Sequence, residues 1–213
     1  MIEIHGTHGS PFVRKVYIAL AYKNIAYKNV HQMPFAKDAE YEKLNPMGRI
    51  PTLVDGDLII GDSKVICRHL ENTHPEPALY PRDPADRARA EWFEELAGDR
   101  VAEYTAGIFF QRFMKPLAFK QEPDEELITK LTTKRLPPLL DYLEPLMPAD
   151  GFLFGDFMMA DLSVASPFFN ASYAGYEVDA DQYPRLAGMI QRVKEQPAVA
   201  GVLAEEAKMF AGG

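Results

Sequence analysis

Asn45-Pro46-Met47-Gly48-Arg49-Ile50-Pro51-Thr52-Leu53-Val54-Asp55-Gly56-Asp57-Leu58-Ile59-Ile60-Gly61-Asp62-Ser63 is the stretch that decides how the first part of this chain folds. Thr52–Val54 and Leu58–Ile60 are short and apolar, and Asp55-Gly56-Asp57 between them is a strong hairpin signal. Pro51 stands at the mouth of the first of these strands, where it has no N–H to give to a sheet. A cis Ile50–Pro51 bond, turning the neighbouring backbone outward for use, is a reason for a proline there. Gly61-Asp62-Ser63 then caps a helix that runs through Asn72, and the free N–H groups and dipole of such an end favour an anionic ligand group.

Working outward, Met1–His5 (MIEIH) reads as a strand. Gly9-Ser10-Pro11-Phe12-Val13-Arg14 follows where that strand hands over to a helix reaching about Tyr22, with Ser at the cap and Pro at the first helical position. Ala26–His31 is a second strand candidate, and Asp38–Leu44 a short helix stopped by Asn45-Pro46. The order βαβ–α–ββα describes a small α/β unit of about 80 residues. Ser10 and Asp62 also read as ordinary helix caps, and the local pattern leaves both readings open.

Three prolines in Glu76–Pro84 (Pro77, Pro81, Pro84) mark a linker, and beyond it strand signals nearly vanish. Helical patterns cover Pro84–Met114, Asp124–Leu146, Met159–Ala174, Tyr183–Gln196 and Ala198–Phe210, with Pro137-Pro138 and Pro167 expected to kink or break two of them. The second unit is therefore expected to be a helical bundle. No internal repeat or low-complexity tract is visible.

The chain has 213 residues and a formal net charge of −8. Residues 1–80 carry nine basic and nine acidic side chains, so the whole excess lies in the remainder, with 14 basic and 22 acidic. That acidic part argues against nucleic acid as a partner, since phosphate neutralisation needs clustered Lys and Arg. With 47% hydrophobic and 25% charged residues the composition is that of a soluble globular protein. No apolar run approaches the roughly 20 residues of a membrane helix, and MIEIHGTHGS is neither a signal peptide nor a transit peptide. The single cysteine, Cys67, excludes an intramolecular disulfide and a Cys-paired zinc site, so a reducing cytoplasm is the default compartment. His5, His8, His31, His69 and His74 form no metal-binding spacing, and the chain has no G-x-S-x-G, Walker or G-x-G-x-x-G motif. Tyr104, Phe109, Phe110 and Phe113 make an aromatic cluster on one helix, for which core packing is the plain reading.

In this order the three motifs of the first unit resemble the glutathione transferase family, and the resemblance covers essentially the whole chain. NPMGRIPTLVDG followed by GDSKVICRHLE is similar to the family's Asn-Pro-x-Gly-x-(Val/Ile)-Pro-x-Leu segment and its acidic-Ser motif, at matching separation. Ser10-Pro11-Phe12-Val13 occupies the slot where glutaredoxin-like relatives hold Cys-x-x-C, and no Tyr lies in residues 1–16, so the chain resembles a cytosolic, bacterial-like, serine-type member. The resemblance implies an α/β thioredoxin-like N-terminal domain over residues 1–76, a linker over 77–84 and an all-α C-terminal domain over 85–213. It implies a cytoplasmic homodimer that uses glutathione as co-substrate, with no metal, nucleic acid or membrane partner.

The residue roles implied by the resemblance follow. Both cysteines of the redox slot are missing, so the reactive sulfur would arrive with glutathione, and the protein would supply a donor to its thiolate. A free thiol has a pKa of about 8.5, and lowering it by about two units corresponds to roughly 2.7 kcal/mol. Ser10, at a helix N-terminus, acts in that direction, with Thr7 and His8 as nearby alternatives ranked behind it. The Ile50 backbone before Pro51 would pair with the cysteinyl part of glutathione like an added strand. Asp62 and Ser63 would hold the γ-glutamyl amino and carboxylate groups, Asp62 being one methylene shorter than the Glu many members carry. Arg49 would pair with a glutathione carboxylate, and Lys37 and His31 stand towards the glycine end or are solvated. Phe12 and the cluster Tyr104, Phe109, Phe110 and Phe113 gain a second reading as walls of an apolar electrophile pocket. Gly155-Asp156-Phe157-Met158-Met159-Ala160-Asp161 is similar to the family's helix-capping box but one residue shorter, with Met158 where the capping hydroxyl would fall.

Overall fold

The hairpin around Gly56 is the outer half of a four-stranded sheet in the computed structural model, which describes residues Met1–Ala211. Strands β1 (Ile2–Gly6), β2 (Tyr27–His31), β3 (Thr52–Asp55) and β4 (Leu58–Gly61) lie in the order β2-β1-β3-β4. β1 pairs in parallel with β2, Ile4 opposite Asn29, and antiparallel with β3, Ile4 opposite Leu53. β3 and β4 are antiparallel, Leu53 opposite Ile60. Helices α1 (Pro11–Tyr22), α2 (Ala39–Leu44) and α3 (Ser63–Thr73) complete the βαβ–α–ββα order, with bounds within about a residue or two of those expected.

The apolar spacing of α1 and α3 explains their place. Val13, Val16, Ile18 and Leu20 of α1 and Ile66, Cys67 and Leu70 of α3 are fully buried, with Ile4 and Leu53 of the two central strands. The two helices pack on one another. Gly6 ends β1 because a Cβ there would stand 2.7 Å from a Val13 methyl, so its absence lets α1 close on the strand.

Two compact units divide the chain, and the division differs from the one expected. The first comprises Met1–Leu79 together with the C-terminal segment from Gln196, and the second Tyr80–Glu195. The last helix, which the resemblance assigned to the helical domain, packs instead on α1 of the first unit. The physical reason is a buried charge pair between Arg14 and Glu206. The start of the expected linker is also held tightly. Lys23 Nζ donates to the carbonyls of His74 and Pro77 at 2.7 Å each and pairs with Glu71 at 2.7 Å, while Glu71 Oε2 accepts from Leu79 N.

The second unit is helical, with only two isolated bridges near Phe152–Asp156 among its described residues. It contains α4 (Pro84–Leu96), α5 (Ala102–Phe109), α6 (Lys115–Phe119), α7 (Glu125–Lys130), α8 (Pro137–Leu143), α9 (Met159–Tyr173) and α10 (Pro184–Lys194). The first long pattern, Pro84–Met114, is interrupted by wide π-turns at Ala97–Val101 and Phe110–Met114. Pro137-Pro138 begins α8, where missing N–H groups are tolerated, directly after a third π-turn over Leu131–Arg135. Pro167 does not break its helix. α9 runs through it unbroken, and Met159–Ala171 is buried throughout, with α4, α5 and α10 packed against the helix. That packing outweighs a proline cost of about 3 kcal/mol. Helix α11 (Pro197–Ala211) belongs to the first unit.

The shortened capping motif works through its carboxylate. Asp161, with no exposed surface, accepts from Met158 N at 2.9 Å and from Leu153 N at 2.8 Å, tying the preceding loop to the start of α9. Burial nevertheless pushes its carboxyl up to about 6, the two N–H donors opposing the shift. Folded Asp161 therefore binds its proton more tightly than the unfolded chain does. Its protonation adds stability as pH falls below 6, and that contribution is lost as the carboxyl ionises with pH rising through 6. The gain is about 2 kcal/mol at about pH 4.5 relative to about pH 7.5. Urea unfolding of wild type and Asp161→Asn at both values should show the wild-type advantage growing by that amount on acidification. An advantage that shrinks with acid would contradict the assignment.

Candidate functional site

The three motifs of the first unit come to the ends of secondary-structure elements, and each is built by its neighbours in sequence. Ser10 is the N-cap of α1 in extended conformation, half-buried, and its Oγ accepts from Val13 N at 3.4 Å. Gly9 before it has φ +85°, a conformation that L side chains rarely adopt. The two sequence alternatives to Ser10 have other contacts. Thr7 Oγ1 lies 3.9 Å from the Met209 sulfur as donor, and the His8 ring tilts on Tyr17 with centroids 4.9 Å apart. Phe12 is exposed on the first turn of α1.

The segment leading to Pro51 is organised by a polar hub that sequence reading passed over. The Ile50–Pro51 bond is cis. Asn45, almost fully buried, donates from Nδ2 to the Arg49 carbonyl at 3.0 Å and to Thr52 Oγ1 at 3.1 Å, and its Oδ1 accepts from Met47 N. The Tyr41 hydroxyl of α2 donates to the same Arg49 carbonyl and shares a hydrogen bond with Thr52 Oγ1 at 2.8 Å. The carbonyl just before Ile50 is thus fixed twice, and Ile50 itself is buried at the entrance to β3. Burial raises the Tyr41 phenol above its ordinary range, so it stays a neutral donor. Gly61 belongs to the same hub, since a Cβ on it would meet Asn45 Nδ2 at 2.9 Å. The sequence signal was present: a tyrosine on the short helix and an asparagine ahead of a proline turn, followed by a threonine at the strand start.

Asp62 caps α3, its Oδ1 accepting from Lys64 N at 2.8 Å and from Val65 N at 3.3 Å. Its φ of +70° is uncommon for a residue other than glycine and carries a cost of roughly 1–3 kcal/mol. Asp62 is exposed while Ser63 is buried beside it. Arg49, Lys37 and His31 are exposed. A hydrogen bond from Phe35 N to the Gly48 carbonyl at 2.8 Å brings the loop of Lys37 beside that of Arg49.

The aromatic residues singled out in the second unit make different contacts. Phe109 and Phe113 stack at 5.0 Å, and Phe113 continues to Tyr173 at 6.4 Å. Phe110 is turned to Phe119 at 5.9 Å, and Tyr104 packs on the core group of Ile108, Leu131, Leu136 and Ala174. A cavity of about 230 Å³ in this unit, lined by Phe168, Phe169, Tyr176 and Ile190 among others, includes none of the residues singled out in the sequence. Among the described residues no cluster of three or more His, Cys, Asp or Glu side chains is placed to hold a metal ion, and no helix is long and apolar enough to cross a membrane.

A four-stranded mixed sheet with its helices, followed by an all-helical unit, defines a thioredoxin-like domain joined to a helical one. The glutathione S-transferase N-terminal domain matches residues 4–78, and the glutathione S-transferase C-terminal domain residues 109–206. The chain is 32% identical to maleylacetoacetate isomerase of Dictyostelium discoideum, covering 86% of this chain and 84% of that protein. It is 27% identical to glutathione S-transferase Z2 of Arabidopsis thaliana over 96% of this chain and 92% of the relative. Among solved structures, a glutathione S-transferase from Rhodospirillum rubrum superposes with a TM-score of 0.84 at 28% identity, covering 95% of this chain and 92% of that one. The chain belongs to the glutathione S-transferase family.

The hub at Asn45 sets a stability prediction. Tyr41→Phe removes one of two donors to the Arg49 carbonyl and should cost about 1–2 kcal/mol, while Asn45→Ala should cost more, about 2–3 kcal/mol, because it releases Arg49, Thr52 and Met47 together. Urea unfolding measures both. Equal costs, or none, would show that the hub does not hold this loop.

Proposed function

We propose that this chain is a serine-type glutathione transferase. It binds reduced glutathione on its first unit, stabilises the thiolate through the Ser10 hydroxyl, and directs that sulfur at an apolar electrophile. The observation that carries the reading is the state of Ser10. Its oxygen accepts from Val13 N at the start of a twelve-residue helix, which leaves its proton to be given to an anion. The helix dipole favours negative charge at the same place. A thiolate so held is the nucleophile, and binding it beside the electrophile replaces a bimolecular encounter.

The remaining roles follow the ligand's own chemistry. The Ile50 backbone, ahead of cis Pro51, pairs with the cysteinyl unit. Asp62 and Ser63 take the γ-glutamyl end at the N-terminus of α3. Arg49 and Lys37, on adjoining loops, answer the glycyl carboxylate. Phe12 offers apolar surface next to Ser10 for the electrophile. The reading carries with it a homodimer working in the cytoplasm, with glutathione as co-substrate and no call for a metal.

A second reading is favoured by the likeness to maleylacetoacetate isomerase. The same thiolate would add to a conjugated cis double bond, the resulting single bond would rotate, and the sulfur would leave as the trans bond forms, so that glutathione is returned unchanged. Consumption of glutathione separates the two. Conjugation uses one glutathione per turnover, and isomerisation uses none. Calorimetry with glutathione tests both readings together, and no binding at millimolar concentration would remove them. Binding without turnover of any electrophile or cis-enoyl acid would leave a non-catalytic binding protein.

Two substitutions test the assigned roles. Ser10→Ala should raise the pKa of bound glutathione's thiol by about one unit, the worth of a charge-assisted hydrogen bond, with affinity changed little. Absorbance titration of the thiolate reads this, and an unmoved titration would transfer the role to Thr7 or a backbone N–H. Asp62→Gly relieves the positive φ and should leave thermal stability unchanged or improved, while glutathione affinity falls about tenfold. Undiminished affinity in calorimetry would remove Asp62 from the site.

A further inference from the structure

Ser10 accounts for the start of α1 but not for a fully buried charge one turn further on. Arg14 lies four residues after Ser10, and its guanidinium is met by Glu206 of α11. Nε stands 2.8 and 3.1 Å from the two carboxylate oxygens, and Nη2 stands 2.6 Å from Oε2. Neither side chain has exposed surface. A buried pair of this kind is seldom a net source of stability, because desolvation offsets most of its attraction. What it supplies is register, since each charge tolerates only a narrow range of positions for its partner.

Register here has a visible consequence. Met209 and Phe210 follow Glu206 by three and four residues and so lie on the same face of α11. That face meets the turn before Ser10. Thr7 Oγ1 reaches the Met209 sulfur at 3.9 Å, and a Cβ placed on Gly9 would stand 2.7 Å from the tip of the Phe210 ring and 3.2 Å from the Met209 methyl. The turn Thr7–Gly9 is therefore closed on one side by α11 and continues directly into the helix that carries Ser10 and Arg14. All of these residues belong to the first unit.

We propose that Arg14 and Glu206 are positioning residues: their ion pair registers α11 so that Met209 and Phe210 clamp the Thr7–Gly9 turn and hold the Ser10 hydroxyl against the glutathione sulfur. The proposal rests on the glutathione reading given above. It differs from a direct electrostatic role, because Glu206 neutralises the guanidinium. It also differs from a purely structural role, which would change stability without touching the bound thiol.

Two variants separate these cases. Glu206→Gln keeps the shape and removes the charge, leaving the guanidinium without its carboxylate. Phe210→Ala leaves the ion pair intact and opens only the clamp. Both are compared with wild type and Ser10→Ala in the full chain. In Phe210→Ala, hydrogen exchange of the amides of residues 7–13 should speed up by about tenfold without ligand. The thiol pKa of bound glutathione should rise by about half a unit, and glutathione affinity should stay within about twofold because Ile50, Asp62 and Ser63 are untouched. Glu206→Gln should move exchange and titration the same way. A Glu206→Gln titration that moves downward instead would show an unbalanced guanidinium acting by charge and overturn the proposal. Unchanged local exchange in Phe210→Ala, or faster exchange with an unmoved titration, would overturn it too. If wild type binds no glutathione, or Ser10→Ala leaves the titration unmoved, the Ser10 reading falls and this proposal with it, a failure distinct from an effect of Ser10 without one of Phe210.

Discussion

A guanidinium with no exposed surface must be met by a carboxylate, and in this chain the carboxylate comes from 192 residues away. The Arg14–Glu206 pair is the constraint on which the first unit depends. It decides that the C-terminal helix belongs with the thioredoxin-like sheet, although the chain between them folds as a separate compact unit. Truncating one partner of such a pair is far more damaging than never having had it, since the survivor keeps its desolvation cost, on the order of several kcal/mol. The last helix is therefore part of the first unit's core and not an appendage. A second buried cation works similarly at the other end of α1, where Lys23 gathers two backbone carbonyls and Glu71 and so fixes the chain as it leaves α3.

Much of the first unit was legible because its signals are local. The Asp55-Gly56-Asp57 turn, the Ser10-Pro11 helix start and the Asp62 cap each depend on residues within four positions, and each formed where expected. The fold of the second unit was legible only as helix. Pro167 carried a breaking signal that the packing of α9 overrode, and the π-turns after Leu96 and Phe109 have no recognisable mark in sequence. The membership of α11 was not legible from local pattern at all, although Glu206 left a trace. It falls in step with Val199 and Val202 on an otherwise apolar stripe, and a charge on such a face needs a buried partner.

The candidate site divides along the same line. Its motif-bearing half uses backbone groups and helix ends: the N-termini of α1 and α3 and the strand entrance at Ile50. Such groups are positioned by glycine, proline and capping residues, which leave strong marks in sequence. The Asn45–Tyr41–Thr52 hub that fixes the strand entrance was less visible, because a hydrogen bond between a helix and a loop depends on which side chains happen to converge. The aromatic residues of the second unit show the limit most clearly. Phe109, Phe110 and Phe113 are near neighbours in sequence, yet two stack together and the third turns to Phe119. A helix advances about 100° per residue, so adjacent aromatics point in different directions.

This division bears on how the chain's charge is spent. The first eighty residues are neutral, so nothing in their net charge draws an anion towards them. On the proposed reading, the attraction for an anionic ligand group would therefore be local, supplied by the two helix N-termini and by Arg49 and Lys37 on adjoining loops. A local field of this kind falls off within about a helix turn. On the proposed reading, what the site could not tolerate is displacement of Ser10 itself, because a hydrogen bond to sulfur or oxygen is lost within about an ångström of movement. The demand on the fold is for placement more than for charge, and placement is what the buried contacts of α1 with α3 and α11 provide.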